Sequence, residues 1–562
     1  MFKILQQLQP LSIDLIRSTN SSNSNSANED LRLRECFSDD NGRTSSRYRD
    51  NRLKLNKLSH LEGDNRRIKE KNSWKKKAEE LELEVKRLRR RLKGIEGKDL
   101  ECKCWNSLLE KSEDIMLKTQ KNTTERIKNM CPPSSGALPA NFPGIQKEAL
   151  IYCHRPPKYF DLPTTFFHPT FNKFLNHYND KTLNIPKKIC EGVFYFVEEM
   201  AEIFSHEKPR KKILHDFLRD CLDLNPLELI LDDDSSNDGV VLLVEKYLGI
   251  VIEVKAEIGS GKCDPYLQGS LEYSKFWAQD QFKDFKENCN CPSFIICLAG
   301  PWICIASAIF LDRIIIDPLT DFIPLQPAFD NYGLDRISRL FFALKSAIID
   351  LKEFYRKIEA QKVFHGHQNF FPYVNTFVQD GREVKFIYTE HISRGVYKAK
   401  ISKNGLVVIV KFSRRYNADA HKLCAAMGFA PKLLHVDTEK MQEWIIIIME
   451  YAHNAKQLQD SHLDLEQKKL ILKEIRAAID LLHENNIVFG DFCSNNILIY
   501  EKVQQVHALL IDFDWSGVSD KDRYPFFMNY DITWPTGAGD GEILRKSHDE
   551  EWYKQLEKLL EK

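Results

Sequence analysis

Three polar side chains near the C-terminus have the types and the order that phosphoryl transfer requires. Asp491 and Asn496 lie in VFGDFCSNNILIY, which is typical of a loop that opens into a strand, and Asp512 follows the apolar run of LLIDFDWSG. The reaction needs a carboxylate that orients or accepts the proton of the attacking hydroxyl, and oxygen ligands that hold Mg²⁺ between phosphates. Asp491 suits the first role, and Asn496 and Asp512 suit the second. The alternative is that all three residues only cap turns between strands.

A lysine upstream adds a fixed positive charge. Lys411 ends the apolar run VVIVK, and a Lys held between apolar neighbours on a strand suits phosphate oxygens. The alternative is an edge Lys whose amine reaches water. The preceding run, KFIYTEHISRGVYKAKI, is joined to this strand by SKNG, whose Asn404-Gly405 is a strong hairpin-turn signal. A predicted helix over 463–487 then leads the chain to Asp491.

A second group of charged residues lies in the middle of the chain. Asp238 is on a predicted turn, and Glu253 and Lys255 follow it on the strand-like run GIVIEVKAEIG. Alternation along a strand places Glu253 and Lys255 on the same face. An Asp and a Glu that converge beside a Lys can hold Mg²⁺ and activate a water for attack on a phosphodiester. An inward-facing charged pair on so apolar a strand is costly unless it binds something, and the alternative is a surface strand of alternating Glu and Lys.

The elements that position these residues belong to segments of different composition. At 562 residues the chain is too long for one ordinary core. Its Ser/Asn-rich and charged beginning has too little apolar surface to order itself and is expected to be disordered. The expected organisation is a disordered region at 1–64, a basic coiled-coil helix at 65–97, a linker at 98–144, a mixed α/β domain at 145–360, a linker at 361–385 and a C-terminal domain at 386–562.

The predicted coiled-coil helix has apolar residues at alternating steps of four and three from Trp74 to Ile95. Three heptads support a weak homodimer. The alternative is a basic helix, with RLRRRLK near its end, that contacts DNA or serves as a nuclear import signal.

Composition favours a protein of the cell interior, either cytoplasmic or nuclear. The net charge is zero, and the close Cys pairs have one-residue gaps that do not fit a zinc site, so the 14 Cys are interpreted as reduced thiols. The N-terminal residues lack the continuous apolar core of a secretory signal. The longest apolar runs are too short to span a bilayer or are broken by Gly-Pro, so no membrane anchor is expected.

Together, Lys411, GDFCSNN and IDFDWSG resemble the eukaryotic protein-kinase-like superfamily, and in particular fungal kinase-like domains that continue with segments such as RYPFFMNYDITWP and RKSHDEEWYKQL. The resemblance implies a bilobal fold that binds ATP and Mg²⁺ and phosphorylates a protein Ser/Thr hydroxyl or a small-molecule hydroxyl. Lys411 would pair the nucleotide phosphates beneath a turn at Gly395. Asp491 would act as the base, and Asn496 and Asp512 would ligate the metal.

The sequence departs from the superfamily pattern around these positions. The turn over the nucleotide keeps only Gly395, while Phe489 stands where a His is usual and Cys493 where a Lys or Arg is usual. No Glu partner for Lys411 is evident, and Asp419 is the candidate in its place. These departures leave two alternatives open, a regulatory pseudokinase and a non-catalytic nucleotide-binding scaffold.

The middle residues resemble the motif of the restriction-endonuclease-like superfamily, an Asp followed by Asp/Glu-x-Lys, here Asp238, Glu253 and Lys255. A Gln on the next helix commonly accompanies this motif and corresponds to Gln268, with Glu257 and Tyr273 nearby in the sequence. The resemblance implies metal-dependent cleavage of DNA.

A nuclease-like domain that precedes a kinase-like domain resembles the Crinkler-type effector proteins of fungi and oomycetes. The expected fold class is therefore multidomain, α/β and α+β. It comprises a disordered and coiled-coil N-terminus, a restriction-endonuclease-like α/β domain and a bilobal protein-kinase-like domain.

Overall fold

The structure, a computed structural model, describes residues 115–148, 151–156, 158–229, 237–326, 331–360, 366–441, 443–502, 505–529 and 531–561. The predicted disordered region at 1–64 and the predicted coiled-coil helix at 65–97 lie outside these residues. The described residues belong to one compact unit, 109–562.

The first half of this unit is built on a mixed eight-stranded sheet. Its strands are β1 Ile151–Tyr152, β2 Pro226–Leu227, β3 Gly239–Leu243, β4 Tyr247–Lys255, β5 Ser293–Ala299, β6 Trp302–Phe310, β7 Ile314–Pro318 and β8 Ile323–Pro324. They pair in the order β1-β7-β6-β5-β4-β3-β2, and β8 pairs with β6. The β4/β5 and β1/β7 pairs are parallel, and the other pairs are antiparallel. All nine residues of β4 are buried, as expected for a central strand that is covered on both faces.

Helices cover this sheet. They are a helical stretch at 115–128, α1 Pro133–Gly136, α2 Phe142–Glu148, α3 Pro169–Asn179, α4 Lys187–Met200, α5 Glu207–Leu222, α6 Pro265–Ala278, α7 Lys283–Lys286 and α8 Asn331–Ala360. Helix α6 is buried along its whole length and carries the chain from β4 to the parallel strand β5. It therefore lies directly against the strand that bears Glu253 and Lys255.

The second half begins with a six-stranded antiparallel sheet. Its strands are β9 Thr376–Gln379, β10 Arg382–Ser393, β11 Val396–Ile401, β12 Val407–Ser413, β13 Leu433–Met441 and β14 Trp444–Glu450, in the order β13-β14-β12-β11-β10-β9. Helix α9, Ala418–Ala426, follows β12. The hairpin predicted at Asn404-Gly405 joins β11 to β12, whereas the run before it is two strands that turn at Gly395, where φ is +71°.

The chain ends in a lobe that consists mainly of helices and loops. Its elements are β15 Lys456–Gln457, α10 Leu465–Glu484, β16 Ile487–Val488, β17 Ile497–Lys502, β18 Gln505–Leu510, β19 Gly517–Val518 and α11 Lys546–Glu561. Helix α10 begins with a capping box in which Asp464 and Gln467 satisfy each other's backbone N–H groups. A separate apolar core joins α9, α10 and α11 to the loops around Phe489 and Phe513.

The two segments predicted as linkers contain regular structure. The stretch 98–144 includes helices at 115–128 and 133–136, and Lys275 of α6 donates hydrogen bonds to the carbonyls of Lys128 and Met130. The stretch 361–385 includes β9 and the first residues of β10, so the six-stranded sheet begins before residue 386. Within the described residues no helix is long and apolar enough to cross a membrane.

Candidate active site

Lys411 lies at the centre of a cluster of charges between the six-stranded sheet and the C-terminal lobe. Strand β12 holds it, and its amine lies 2.8 Å from Asp512 Oδ1 and 2.7 Å from Asp514 Oδ1. Burial acts to lower the pKa of Lys411, but the two carboxylates outweigh burial and raise the pKa above its ordinary value. Lys411 is therefore a permanent cation held at the loop that follows β18.

The loop that carries the two carboxylates is conformationally unusual. Asp512 has φ +70°, a left-handed conformation that non-glycine residues adopt rarely and that is often found at functional sites. Burial raises the pKa of Asp514 to about 6, and Ser413 donates a hydrogen bond to its Oδ2 at 2.8 Å. For Asp512, burial acts in the same direction, but Lys411 lowers the pKa below its usual range. Asp512 is thus the carboxylate kept ionised beside Lys411.

Asp491 and Asn496 form a second pair on the neighbouring loop. The Asn496 amide donates to Asp491 Oδ2 at 2.8 Å and to the Asp491 carbonyl at 3.1 Å. Burial raises the pKa of Asp491 to about 6, and the negative charge of Asp512 adds to the rise, while hydrogen bonds from Cys493 and Asn496 oppose it. The Asn496 amide and the charge of Asp512 both act on the Asp491 carboxylate. The fold therefore brings these three predicted site residues together.

Asp549 anchors the loop that carries Asp491. The sequence did not predict a role for this residue. Its buried carboxylate accepts hydrogen bonds from the backbone N–H groups of Phe489 and Gly490, at 2.8 Å and 2.9 Å, and lies 3.1 Å from His483 Nε2. Asp549 lies in RKSHDEEWYKQL, a segment noted in the sequence only because it resembles fungal kinase-like domains. Asp549, a buried acid on α11, therefore fixes the backbone of the two residues that precede Asp491.

Replacement of Asp549 tests this support. Asp549→Ala leaves two buried backbone N–H groups without acceptors, so we expect the C-terminal lobe to lose on the order of 3 kcal/mol of stability. Asp549→Asn keeps one acceptor oxygen and should lose less. Urea unfolding followed by circular dichroism measures both variants, and a midpoint for Asp549→Ala equal to that of the wild type would contradict the role.

An aromatic cluster replaces the His that is usual in this loop. The Phe489 ring packs edge-on against Phe513 at 5.3 Å and lies 4.4 Å from the ring of Phe492. The His421 ring stacks on Phe513 at 4.8 Å. Phe489 therefore joins the two loops through apolar packing, because its ring fills the space between them.

The prediction that Asp419 is the partner of Lys411 was wrong. Asp419 is exposed on α9 and pairs with Lys422 at 3.5 Å, one turn along the same helix. Lys411 instead pairs with Asp512 and Asp514. The sequence could not show this, because the partners lie about a hundred positions downstream and only the fold brings their loop to β12.

The donor set fits the divalent cation that a kinase-like domain implies. Asn496 uses its amide N–H groups on Asp491, which leaves its side-chain oxygen available, and Asp512 is ionised. Mg²⁺ is commonly held by one or two such oxygens together with substrate phosphates. The part of the chain that the structure describes contains no group of three or more His, Cys, Asp or Glu placed to hold a metal.

The middle residues form a second buried cluster in the α/β half. The Lys255 amine lies 3.3 Å from Glu253 Oε2, and both side chains are almost fully buried. Asp238 accepts a hydrogen bond from the Val254 N–H at 2.9 Å. Burial raises the pKa of Glu253, and the charge of Asp238 adds to that rise. The structure therefore gathers Asp238, Glu253 and Lys255 at one point of the β3/β4 pair.

Glu272 of α6 joins this cluster and was not predicted. Burial raises the pKa of Glu253 well above its usual value, with Glu272 adding to the rise, and burial raises the pKa of Glu272 to about 7. Glu253 Oε1 and Glu272 Oε2 are buried and receive no hydrogen bond from the N–H and O–H donors of the described residues. A proton or a cation between the two carboxyl groups is needed to offset their repulsion.

The other residues named from this resemblance lie in different environments. Gln268 donates to Glu272 Oε1 at 3.2 Å and so supports the cluster from α6. Glu257 lies beyond the end of β4 and pairs with the buried Arg210 at 2.7 Å. Tyr273 donates to the Cys291 carbonyl. Of the three, Gln268 is the one whose hydrogen bond, among those of the described residues, reaches a side chain of the cluster.

The part of the chain that carries the two loops and the strand lysine matches a known kinase family. Residues 374–524 match the lipopolysaccharide kinase (Kdo/WaaP) family. The matched range contains Lys411, Asp491, Asn496 and Asp512. The sequence prediction of a kinase-like superfamily is confirmed at this level.

Comparison with solved structures gives 1324 matching chains. One is the Cydia pomonella granulovirus kinase PK-1, which is 19% identical, with a TM-score of 0.25, over 29% of this chain and 63% of that chain. The match thus spans less than two thirds of that kinase. Among curated proteins no match is found.

Proposed function

We propose that the C-terminal domain is an ATP- and Mg²⁺-dependent phosphotransferase whose acceptor is a protein Ser/Thr hydroxyl or a small-molecule hydroxyl. The observation that carries the proposal is the pairing of Lys411 with Asp512 next to the Asp491–Asn496 pair. The reaction uses a cation that binds phosphate, an ionised carboxylate that holds Mg²⁺ and a second carboxylate that accepts a proton. Lys411, Asp512 and Asp491 are these three groups. The name of the matched family supports a non-protein acceptor alongside Ser/Thr.

Each residue has a defined part in the proposed reaction. Lys411 binds the phosphate oxygens, and Asn496 and Asp512 would hold Mg²⁺, which supplies neutralisation of phosphate charge when bound. Asp491 accepts the proton of the acceptor hydroxyl as the new O–P bond forms and the bond to the ADP oxygen breaks. The Asn496 amide keeps Asp491 oriented toward the acceptor throughout.

The pH dependence of the reaction tests the role of Asp491. A base works only when ionised, and burial raises the pKa of Asp491 to about 6. We therefore expect kcat/KM to be level above about pH 7 and to fall tenfold per pH unit below about pH 6. Phosphate transfer measured between pH 5 and 8 checks this, and activity that does not decline down to pH 5 would contradict Asp491 as the base.

We propose, as a second function, metal-dependent cleavage of phosphodiesters at the α/β cluster. Two buried carboxylates, Glu253 and Glu272, each have an oxygen that no donor of the described residues reaches, and Lys255 lies beside Glu253. Such a set favours a divalent cation and an activated water. DNA is the substrate that the predicted restriction-endonuclease-like class implies, and the kinase-like domain would then be regulatory.

Lys255→Met tests the second function. The variant removes the cation beside Glu253, so we expect Mg²⁺-dependent nicking of supercoiled plasmid to fall below detection. Lys246→Met, which removes an exposed Lys on the turn before the same strand, is the matched control and should nick as the wild type does. Persistent nicking by Lys255→Met would contradict this site.

Several predictions about the whole chain stay open. A homodimer through the coiled coil and DNA binding by the basic helix concern residues outside those described. A Crinkler-type effector role, a fungal source and a location in the cytoplasm or nucleus also stay predictions. A non-catalytic scaffold that binds nucleotide is the alternative to both proposed activities.

A further inference from the structure

The turn over the proposed nucleotide site is contacted by the α/β half of the molecule. We propose that the anchoring segment, residues 160–166, positions the turn at Arg394 and Gly395 and thereby sets the affinity of the kinase-like domain for ATP. Phe160 and Arg394 are the positioning residues that carry this effect. The inference rests on the proposed phosphotransferase function and adds a part of the chain outside the kinase-like domain to its nucleotide site.

The closest contact is between Arg394 and Phe160. The guanidinium carbon of Arg394 lies 3.4 Å from the centre of the Phe160 ring. A guanidinium over an aromatic face is attracted by the negative charge of the ring face and also packs closely against it. The tip of the β10–β11 hairpin is therefore held by a residue more than two hundred positions away.

Gly395 places the backbone of the turn against the same segment. Its φ of +71° favours glycine, and a Cβ atom there would lie 2.9 Å from the Phe412 carbonyl oxygen and 3.7 Å from Leu162 Cδ2. Phe412 donates its backbone N–H to the Gly395 carbonyl at 2.8 Å. The turn thus lies close to both strand β12 and Leu162.

The anchoring segment is itself fixed to the eight-stranded sheet. Asp161 is buried, pairs with Arg313 beside β7 and accepts the Leu162 N–H at 2.7 Å. Thr164 donates its N–H to Asp317 Oδ2 at 2.5 Å, and its hydroxyl lies 2.6 Å from that of Ser307. Because these contacts fix residues 161–164 to the sheet, the segment can act as a rigid support.

The same segment also reaches the strand that carries the phosphate-binding lysine. The Phe166 ring packs edge-on against Phe412 at 4.8 Å and against Trp444 at 5.2 Å. Phe412 directly follows Lys411. One apolar core therefore continues from the α/β half into the six-stranded sheet, and the segment contacts both parts of the sheet that would bind nucleotide.

A held turn changes binding more than chemistry. A hairpin tip that is already fixed loses little conformational freedom when nucleotide binds. The affinity of the domain for ATP is therefore higher than it would be with a free tip. Release of the tip should raise the KM for ATP and leave kcat at saturating ATP nearly unchanged. A role in stability alone would not separate the two constants in this way.

The test is a double-mutant cycle on the full chain. We expect Phe160→Ala and Arg394→Ala each to raise the dissociation constant for Mg²⁺ with a non-hydrolysable ATP analogue by about threefold to tenfold. The double variant should be no worse than either single variant, because both remove one contact. Phe160→Tyr keeps the ring and should stay within about twofold of the wild type.

Tyr159→Ala is the matched control, because Tyr159 precedes Phe160 and its ring lies near the exposed Lys158 instead. Titration calorimetry measures the affinities, and melting temperatures verify folding. Unchanged affinity in Phe160→Ala, or fully additive effects in the double variant, would overturn the inference while the proposed function stands. A wild-type protein that binds no analogue would overturn both.

Discussion

Asp491→Asn is expected to lower kcat for phosphoryl transfer by about 10²- to 10⁴-fold. The substitution keeps the size of the side chain and an oxygen that can face Asn496, but it removes the group that accepts the proton of the attacking hydroxyl. Nucleotide affinity should change little, because Asp491 acts on the acceptor and not on the phosphates. Transfer of labelled phosphate at saturating ATP measures kcat, and calorimetry measures the affinity.

Asp419→Asn is the matched control for this variant. Asp419 lies exposed on α9 and pairs only with Lys422 among the described contacts, so its activity should equal that of the wild type. Labelling by Asp491→Asn at the wild-type rate would show that another group takes the proton. Loss in both variants would indicate a general effect of charge on the domain.

Lys411→Met is expected to weaken binding of the ATP analogue by about tenfold or more, which is the cost of one lost charge-assisted hydrogen bond. Two effects act in the same direction. The variant removes a cation from the phosphate site, and it leaves the carboxylates of Asp512 and Asp514 without their shared partner. Those carboxylates then repel the nucleotide phosphates.

Lys422→Met is the matched control for Lys411→Met, because it removes an exposed Lys on α9. It should bind the analogue as the wild type does. If Lys411→Met kept full affinity and a normal melting temperature, the lysine would have no part in nucleotide binding, and the cluster would be only structural.

Local sequence was sufficient for several parts of this fold and site. Asn404-Gly405 predicted its hairpin because the turn conformation depends on the two residues themselves. Lys411 on its strand and Asp491 and Asn496 on their loop followed from the length and order of apolar runs. The buried Glu253 and Lys255 followed from alternation on β4, where two charges share one face.

What the sequence could not predict depends on contacts between distant segments. Asp549 supports the loop of Asp491 through backbone hydrogen bonds that leave no pattern in the sequence. Glu272 faces Glu253 only because α6 lies across β4. The pairing of Lys411 with Asp514, and not with Asp419, arises because the loop after β18 reaches β12. The support of Gly395 by Leu162 crosses from one half of the molecule to the other.

Phosphotransferase activity is tested by incubating the purified protein with γ-labelled ATP and Mg²⁺, in parallel with Asp512→Ala. Labelled product and released phosphate are measured together. We expect turnover by the wild type and none by Asp512→Ala, since the variant removes the ionised carboxylate beside Lys411. Equal turnover in both proteins, or none from a folded wild type, would contradict a working phosphotransferase site.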